Sequence, residues 1–147
     1  MDLVVVMFSV FVPARERARV ERAVVDGAVA AARRVDPAAS ARWRSGEDPL
    51  DPTLLTEWLM ENPGVPLGDA STRYVEAGIR GLGIAEVCDE IADGACDAVD
   101  EAAHRARRGT YRGDRTWPSA GCAFIVLPGE PEWDTFCTPD ATLAAPA

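Results

Sequence analysis

One stretch of the sequence places many carboxylate side chains on one face of a predicted helix. The pattern of residues 84–108 predicts a single helix. With 100° of rotation per residue, seven carboxylates and the only histidine of the chain point within about 60° of one direction. The opposite side of this segment is apolar, which predicts a helix packed on a core. We call the charged side the acidic stripe, and its members are Glu86, Asp89, Glu90, Asp93, Asp97, Asp100, Glu101 and His104.

One chemistry that suits the acidic stripe is binding of a divalent cation. Carboxylate oxygens are ligands that Mg²⁺, Ca²⁺ and Mn²⁺ prefer. Residues 89–93 have the spacing of metal–diphosphate helices, and Glu101 and His104 have the Glu-x-x-His spacing of carboxylate-bridged metal sites. A second wall of ligands is then required, because one helix face cannot surround a cation. This hypothesis describes an enzyme that uses Mg or Mn on a phosphate-containing small molecule, with the ligands Asp89, Asp93, Asp97, Glu101 and His104.

Two other interpretations of the acidic stripe need no metal. It is either a solvated face that keeps the protein soluble, or a docking surface for a basic partner. No recognisable catalytic set accompanies the stripe. The sequence therefore predicts a small acidic binding protein of an inhibitor, immunity, antitoxin-like or assembly-subunit type rather than an enzyme. Its partner is expected to be a protein with a basic surface, or a second copy of the chain.

Composition excludes several function classes. The net charge of −9 argues against direct binding to nucleic-acid phosphates. All 15 basic residues are arginine, so neither a lysine Schiff base nor a Walker-type lysine is available. None of the four cysteines forms a C-x-x-C pair, which excludes zinc and thioredoxin-type motifs. We expect buried, reduced thiols, with a disulfide between Cys122 and Cys137 as the alternative.

The apolar segment at residues 2–12 predicts a strand buried on both faces. It lacks the basic start of a signal peptide and is too short to span a bilayer as a helix. We therefore expect a cytoplasmic protein that does not associate with a membrane. A second strand at 121–127 is expected to pair with the first in the centre of the sheet, and residues 41–45 fit a further short strand.

The apolar residues of the remaining segments recur at helical spacing. Together with the predicted strands, these helices indicate a two-layer α+β fold with a small sheet of two to four strands. Glycines at 78, 81 and 83 predict a break before the acidic helix. Residues 132–136 fit either an edge strand or a segment that covers the core. The arginines of the first helix are expected to be solvated, with contact to the acidic helix as the alternative. We expect one domain over 1–137, a flexible tail over 138–147, and helices at 13–35, 52–61, 72–82 and 84–108.

Overall fold

The computed structural model describes residues 1–12, 16–47, 71–110 and 119–137, together with Thr53, Thr56 and Met60; for 103–110 and Ala120 it describes the backbone alone. Along the chain, the elements are β1 (Asp2–Val12), α1 (Arg17–Ala32), β2 (Ser40–Glu47), β3 (Ser71–Gly81), a 3-10 turn (Ile84–Val87) that continues into α2 (Cys88–Thr110), β4 (Ser119–Val126) and α3 (Pro131–Cys137).

The four strands form one antiparallel sheet in the order β2-β3-β1-β4. Because β3 lies between β1 and β2, the first β-α-β unit is split, and the β-α-β-β-α-β order is that of the ferredoxin-like arrangement. The predicted α+β fold with a small sheet is confirmed, as is the pairing of the strands predicted at 2–12 and 121–127. The central placement of the second of these strands is wrong, because β4 lies at the edge of the sheet.

Residues 72–81 belong to the strand β3, so the helix predicted at 72–82 is wrong. Val75 and Ile79 are four residues apart, a spacing that fits a strand as well as a helix. In the strand they lie on one face together with Ala77, and all three residues are buried. Leu82 does not belong to the buried set and is 67% exposed. The predicted glycine break is confirmed, since Gly83 adopts a left-handed backbone with φ 73° between β3 and the 3-10 turn.

Both long helices cover one face of the sheet and cross each other through glycines. A Cβ at Gly27 would lie 2.3 Å from the Gly94 carbonyl oxygen, and one at Gly94 would lie 2.6 Å from the Gly27 oxygen. The backbones therefore touch at this crossing. The helix predicted at 13–35 is confirmed over Arg17–Ala32, and it ends early because residues 33–35 form a turn before Asp36-Pro37.

The other face of the sheet is covered in part by α3. Phe136 is fully buried and lies against Gly78, where a Cβ would stand 2.3 Å from the Phe136 Cγ. Leu3, Val5 and Val126 complete this second core. Of the two alternatives for residues 132–136, the covering segment is therefore correct and the edge strand is wrong, and its conformation is helical.

Two predicted segments fall largely outside the described residues. In the helix predicted at 52–61, Thr53, Thr56 and Met60 are helical, and the other positions are not described. The tail predicted at 138–147 is also not described. None of the helices in the described ranges combines the length and the apolar character that a membrane-spanning helix requires.

Asp36, in the loop that follows α1, forms a hydrogen bond with the loop that follows β3. Its carboxylate accepts hydrogen bonds from the backbone N–H of Leu82 at 2.8 Å and of Ala38 at 2.9 Å. These bonds, that from Leu82 first, lower the pKa of Asp36 below its ordinary value. A lowered carboxyl pKa contributes stability that is present above the pKa of the unfolded chain, about 3.9, and is lost as the pH falls through the folded pKa.

The Asp36→Ala variant is therefore expected to be less stable than the wild type at neutral pH, with a difference that shrinks below about pH 4. Urea unfolding between pH 3 and 7 measures this difference. The control is Asp26→Ala, which loses only the surface ion pair with Arg22 at 3.4 Å. A stability difference for Asp36→Ala that stays constant over this pH range would contradict the role assigned to the carboxylate.

Candidate functional site on the acidic face of the second helix

The acidic stripe lies on the solvent side of the 3-10 turn and α2. Ile91, Ala95 and Val99 are fully buried on the opposite side and fix the helix to the core. All seven carboxylates of the stripe are exposed. They are Glu86, Asp89, Glu90, Asp93, Asp97, Asp100 and Glu101. The side chain of His104, the eighth member, lies outside the described residues.

The start of this helix is held by groups that suit its dipole. The Asp2 carboxylate accepts a hydrogen bond from the Ala85 N–H at 3.1 Å, which satisfies one of the free donors at the helix start. Glu86, Asp89 and Glu90 stand in the first turns, where the helix dipole stabilises negative charge. The first part of the stripe is therefore less costly than its like-charge spacing alone suggests.

Arginines of α1 and of the turn after it border one side of the stripe across the groove between the two helices. The groove contains two hollows of about 330 and 370 Å³ that share Gly27, Ala98 and Glu101. Arg19 lines the first hollow and Arg34 the second. Arg19 also donates a hydrogen bond to the Ala102 carbonyl oxygen of α2 at 3.1 Å, so for this arginine the alternative, contact with the acidic helix, is confirmed. Arg33 instead donates to the Ala39 carbonyl at 3.0 Å.

Most of the stripe has no cationic partner in the described part of the chain. Glu101 apart, none of its carboxylates forms an ion pair there, and α1 uses Arg19 with Glu16 at 2.7 Å and Arg22 with Asp26 at 3.4 Å. Arg19 and Arg22 thus each have an acidic partner that does not belong to the stripe. The stripe therefore presents a face of net negative charge on a rigid support.

The metal hypothesis requires a second wall of oxygen ligands. Among the described residues, no three His, Cys, Asp or Glu side chains come together as a metal-binding group. Across the groove, α1 and the turn after it line the hollows with Arg19, Arg22 and Arg34, and Asp26 is the one described carboxylate on that side; cations there disfavour a metal ion. The metal site stays a prediction, which calorimetric titration of metal-free protein with Mg²⁺, Ca²⁺ and Mn²⁺ tests.

The four cysteines are all unpaired, so no disulfide joins Cys122 and Cys137. The expected burial is wrong for Cys96 and Cys122, which are exposed, while Cys88 and Cys137 are half-buried. Cys96 lies on α2 beside the stripe. Partial burial, followed by the carboxylates of Asp100, Asp97 and Asp93, raises the pKa of its thiol. The reactivity of the Cys96 thiol is therefore sensitive to the negative electric field of the stripe.

A cationic thiol reagent is expected to modify Cys96 about tenfold faster than an anionic reagent of the same size at low ionic strength. The attraction of one reagent and the repulsion of the other both follow from the neighbouring carboxylates. Stopped-flow measurement on a variant that keeps only Cys96 gives the ratio of rates, and the same variant with Asp93→Asn/Asp97→Asn is the control. Equal ratios with and without these two carboxylates would show that the stripe produces no local field.

No protein-family model matches this chain, and the searches of curated proteins and of solved structures find no similar protein either.

Proposed function

We propose that the protein is a small acidic binding protein whose α2 face docks on the basic surface of another protein. The observation that carries this proposal is the exposure of seven carboxylates along one helix whose other side is fixed to the core. A rigid support matters because charges held in place lose little conformational freedom when a partner binds.

The size of single charge pairs indicates what kind of partner is required. Two unit charges 4 Å apart in water attract each other by about 1 kcal/mol, and exposed ion pairs in proteins contribute about 0.2–1 kcal/mol. One or two cations on a partner would therefore not give stable binding. An extended basic surface that meets several carboxylates at once would give stable binding. The electric field of the stripe would also increase the rate at which the two proteins associate.

A second copy of the chain is the alternative partner, because α1 and the turn after it carry Arg19, Arg22 and Arg34 next to the stripe. Light scattering of the purified protein separates the two possibilities. If the partner is a second copy, the molar mass exceeds that of one chain at low salt, and the Asp93→Asn/Asp97→Asn variant lowers it. If the partner is a different protein, the purified chain keeps the molar mass of one copy.

Affinity capture from the source cells tests the proposal. The immobilised wild type is compared with Asp93→Asn/Asp97→Asn, which neutralises the middle of the stripe. The matched control is Glu132→Gln/Asp134→Asn on α3, which removes the same charge on the other side of the sheet. We expect a basic protein that binds to the wild type and to the control at about 50 mM salt, and that is lost from the stripe variant.

The same experiment separates the proposal from a merely solvated face. If the stripe only keeps the protein soluble, the three forms capture the same proteins, and the stripe variant differs only in its tendency to precipitate. That result would contradict the proposed function.

A further inference from the structure

The face of the sheet that carries α3 also contains a hollow next to that helix. Its volume is about 600 Å³, and its lining includes Met7 on β1, Tyr74 and Glu76 on β3, and Cys122 on β4. These four positions are neighbours in the sheet, because Met7 pairs with Glu76 on one side and with Cys122 on the other. A concave site of this size suits a small molecule.

The walls of the hollow combine apolar surface with one charged group. Met7 is 45% exposed although it lies on a central strand. The Tyr74 ring lies over Gly46, where a Cβ would stand 2.8 Å from the Tyr74 Cε1. Glu76 is the one carboxylate among the described residues of the lining, and none of those residues is an arginine. Arg44 pairs with this carboxylate from outside the lining, so the hollow itself presents the carboxylate's oxygen atoms.

Glu76 is held in place by a neighbour that leaves half of its carboxylate available. Both Nε and Nη2 of Arg44 donate to the same oxygen, Oε2, at 3.2 and 3.1 Å. The other oxygen, Oε1, accepts no hydrogen bond from the described residues. Arg44 in turn lies 6.0 Å from the centroid of the Phe136 ring, a favourable position for a guanidinium. Phe136 is fully buried on α3. Its ring therefore holds the Arg44 guanidinium in position, and Arg44 in turn holds the Glu76 carboxylate.

We propose that this hollow binds a small molecule with an apolar body and a protonated amine. The amine donates to Oε1 of Glu76, and the body packs against Met7 and the Tyr74 ring. An amine is favoured over a carboxylate or phosphate because the described lining presents the acceptor Oε1, whereas the donors of Arg44 are directed at Oε2. The inference does not depend on the proposed function, since α2 covers the opposite face of the sheet.

Nuclear magnetic resonance of the ¹⁵N-labelled full chain tests the proposal with three probes of one shape. Phenethylammonium carries the cation, phenylethanol is neutral, and phenylacetate is an anion. Phenethylammonium is expected to cause saturable shifts of the backbone amides of Met7, Tyr74, Glu76 and Cys122. It is also expected to slow alkylation of Cys122, while phenylacetate does neither at about 10 mM.

Two variants and one control locate the binding. Glu76→Gln is expected to weaken phenethylammonium binding about tenfold, because a charge-assisted hydrogen bond is lost. Met7→Trp fills the hollow from an exposed position and is expected to abolish binding without unfolding the protein, even if Glu76→Gln fails to fold. Asp93→Asn/Asp97→Asn is the control and is expected to leave these shifts unchanged.

Several results would overturn the proposal. These are the absence of saturable shifts at the hollow, equal effects of phenylacetate and phenethylammonium, or unaltered binding in Met7→Trp. Shifts confined to α2 and lost in Asp93→Asn/Asp97→Asn would show that the amine only collects on the acidic stripe. That outcome would leave the proposed function standing while it removes the small-molecule site.

Discussion

Replacement of Phe136 by alanine is expected to lower the free energy of unfolding by about 3–5 kcal/mol. Phe136 is fully buried and is the largest side chain of the core between α3 and the sheet. Its removal leaves Leu3, Val5 and Val126 facing a cavity, because Gly78 opposite the ring has no side chain to fill it. Urea unfolding at pH 7 measures the loss.

A double-mutant cycle with Gly78 tests the contact itself. Gly78→Ala places a Cβ 2.3 Å from the Phe136 Cγ and is expected to cost about 1–3 kcal/mol in the wild type. In the Phe136→Ala background the same change has room and is expected to cost little. The control is Leu127→Ala, which removes a side chain that is 62% exposed. Additive losses from Gly78→Ala and Phe136→Ala would contradict this packing.

Replacement of Arg73 by methionine is expected to cost about 3 kcal/mol, at the lower end of the range for breaking a buried ion pair. Arg73 Nε lies 3.0 Å from Oε1 of Glu21, with 13% and 10% of the two side chains exposed. The pair joins β3 to α1 on the covered face of the sheet. Without Arg73, the Glu21 carboxylate stays buried and has no described partner.

The double variant Glu21→Leu/Arg73→Met should recover most of this loss, because two apolar side chains replace the pair and no isolated charge remains. Thermal and urea unfolding of both single variants and the double variant give the coupling energy. The surface pair Arg22–Asp26 serves as the comparison, since its removal is expected to change stability by less than about 1 kcal/mol. A double variant that is less stable than either single variant would contradict this explanation.

The acidic helix was predictable because its signal is local. The alternation of buried Ile91, Ala95 and Val99 with carboxylates at helical spacing needs no knowledge of the rest of the chain. The first strand was equally clear, since an uninterrupted apolar run is typical of a strand with both faces covered. What surrounds the stripe was harder to predict. Arg34 contributes to the groove only through the crossing of α1 and α2.

The error at residues 72–82 has a physical cause. Val75, Ile79 and Leu82 are spaced for a helix, whereas Val75, Ala77 and Ile79 are spaced for a strand, and alanine and glycine carry little weight in either pattern. The β-branched residues favoured the strand, and the glycines at 78 and 81 disfavoured the helix. This error concealed the hollow, because Tyr74 and Glu76 lie beside Met7 and Cys122 only when residues 71–81 pair with β1.

The central claim is that the acidic stripe binds a basic partner, and the most direct test is the dissociation constant of the captured protein at two salt concentrations. Calorimetric titration at about 50 and 300 mM salt should show wild-type affinity falling at least about tenfold. At low salt, Asp93→Asn/Asp97→Asn should bind about tenfold more weakly than the wild type, and Glu132→Gln/Asp134→Asn should bind equally well. An affinity that is independent of salt, or that falls equally in both variants, would contradict the claim.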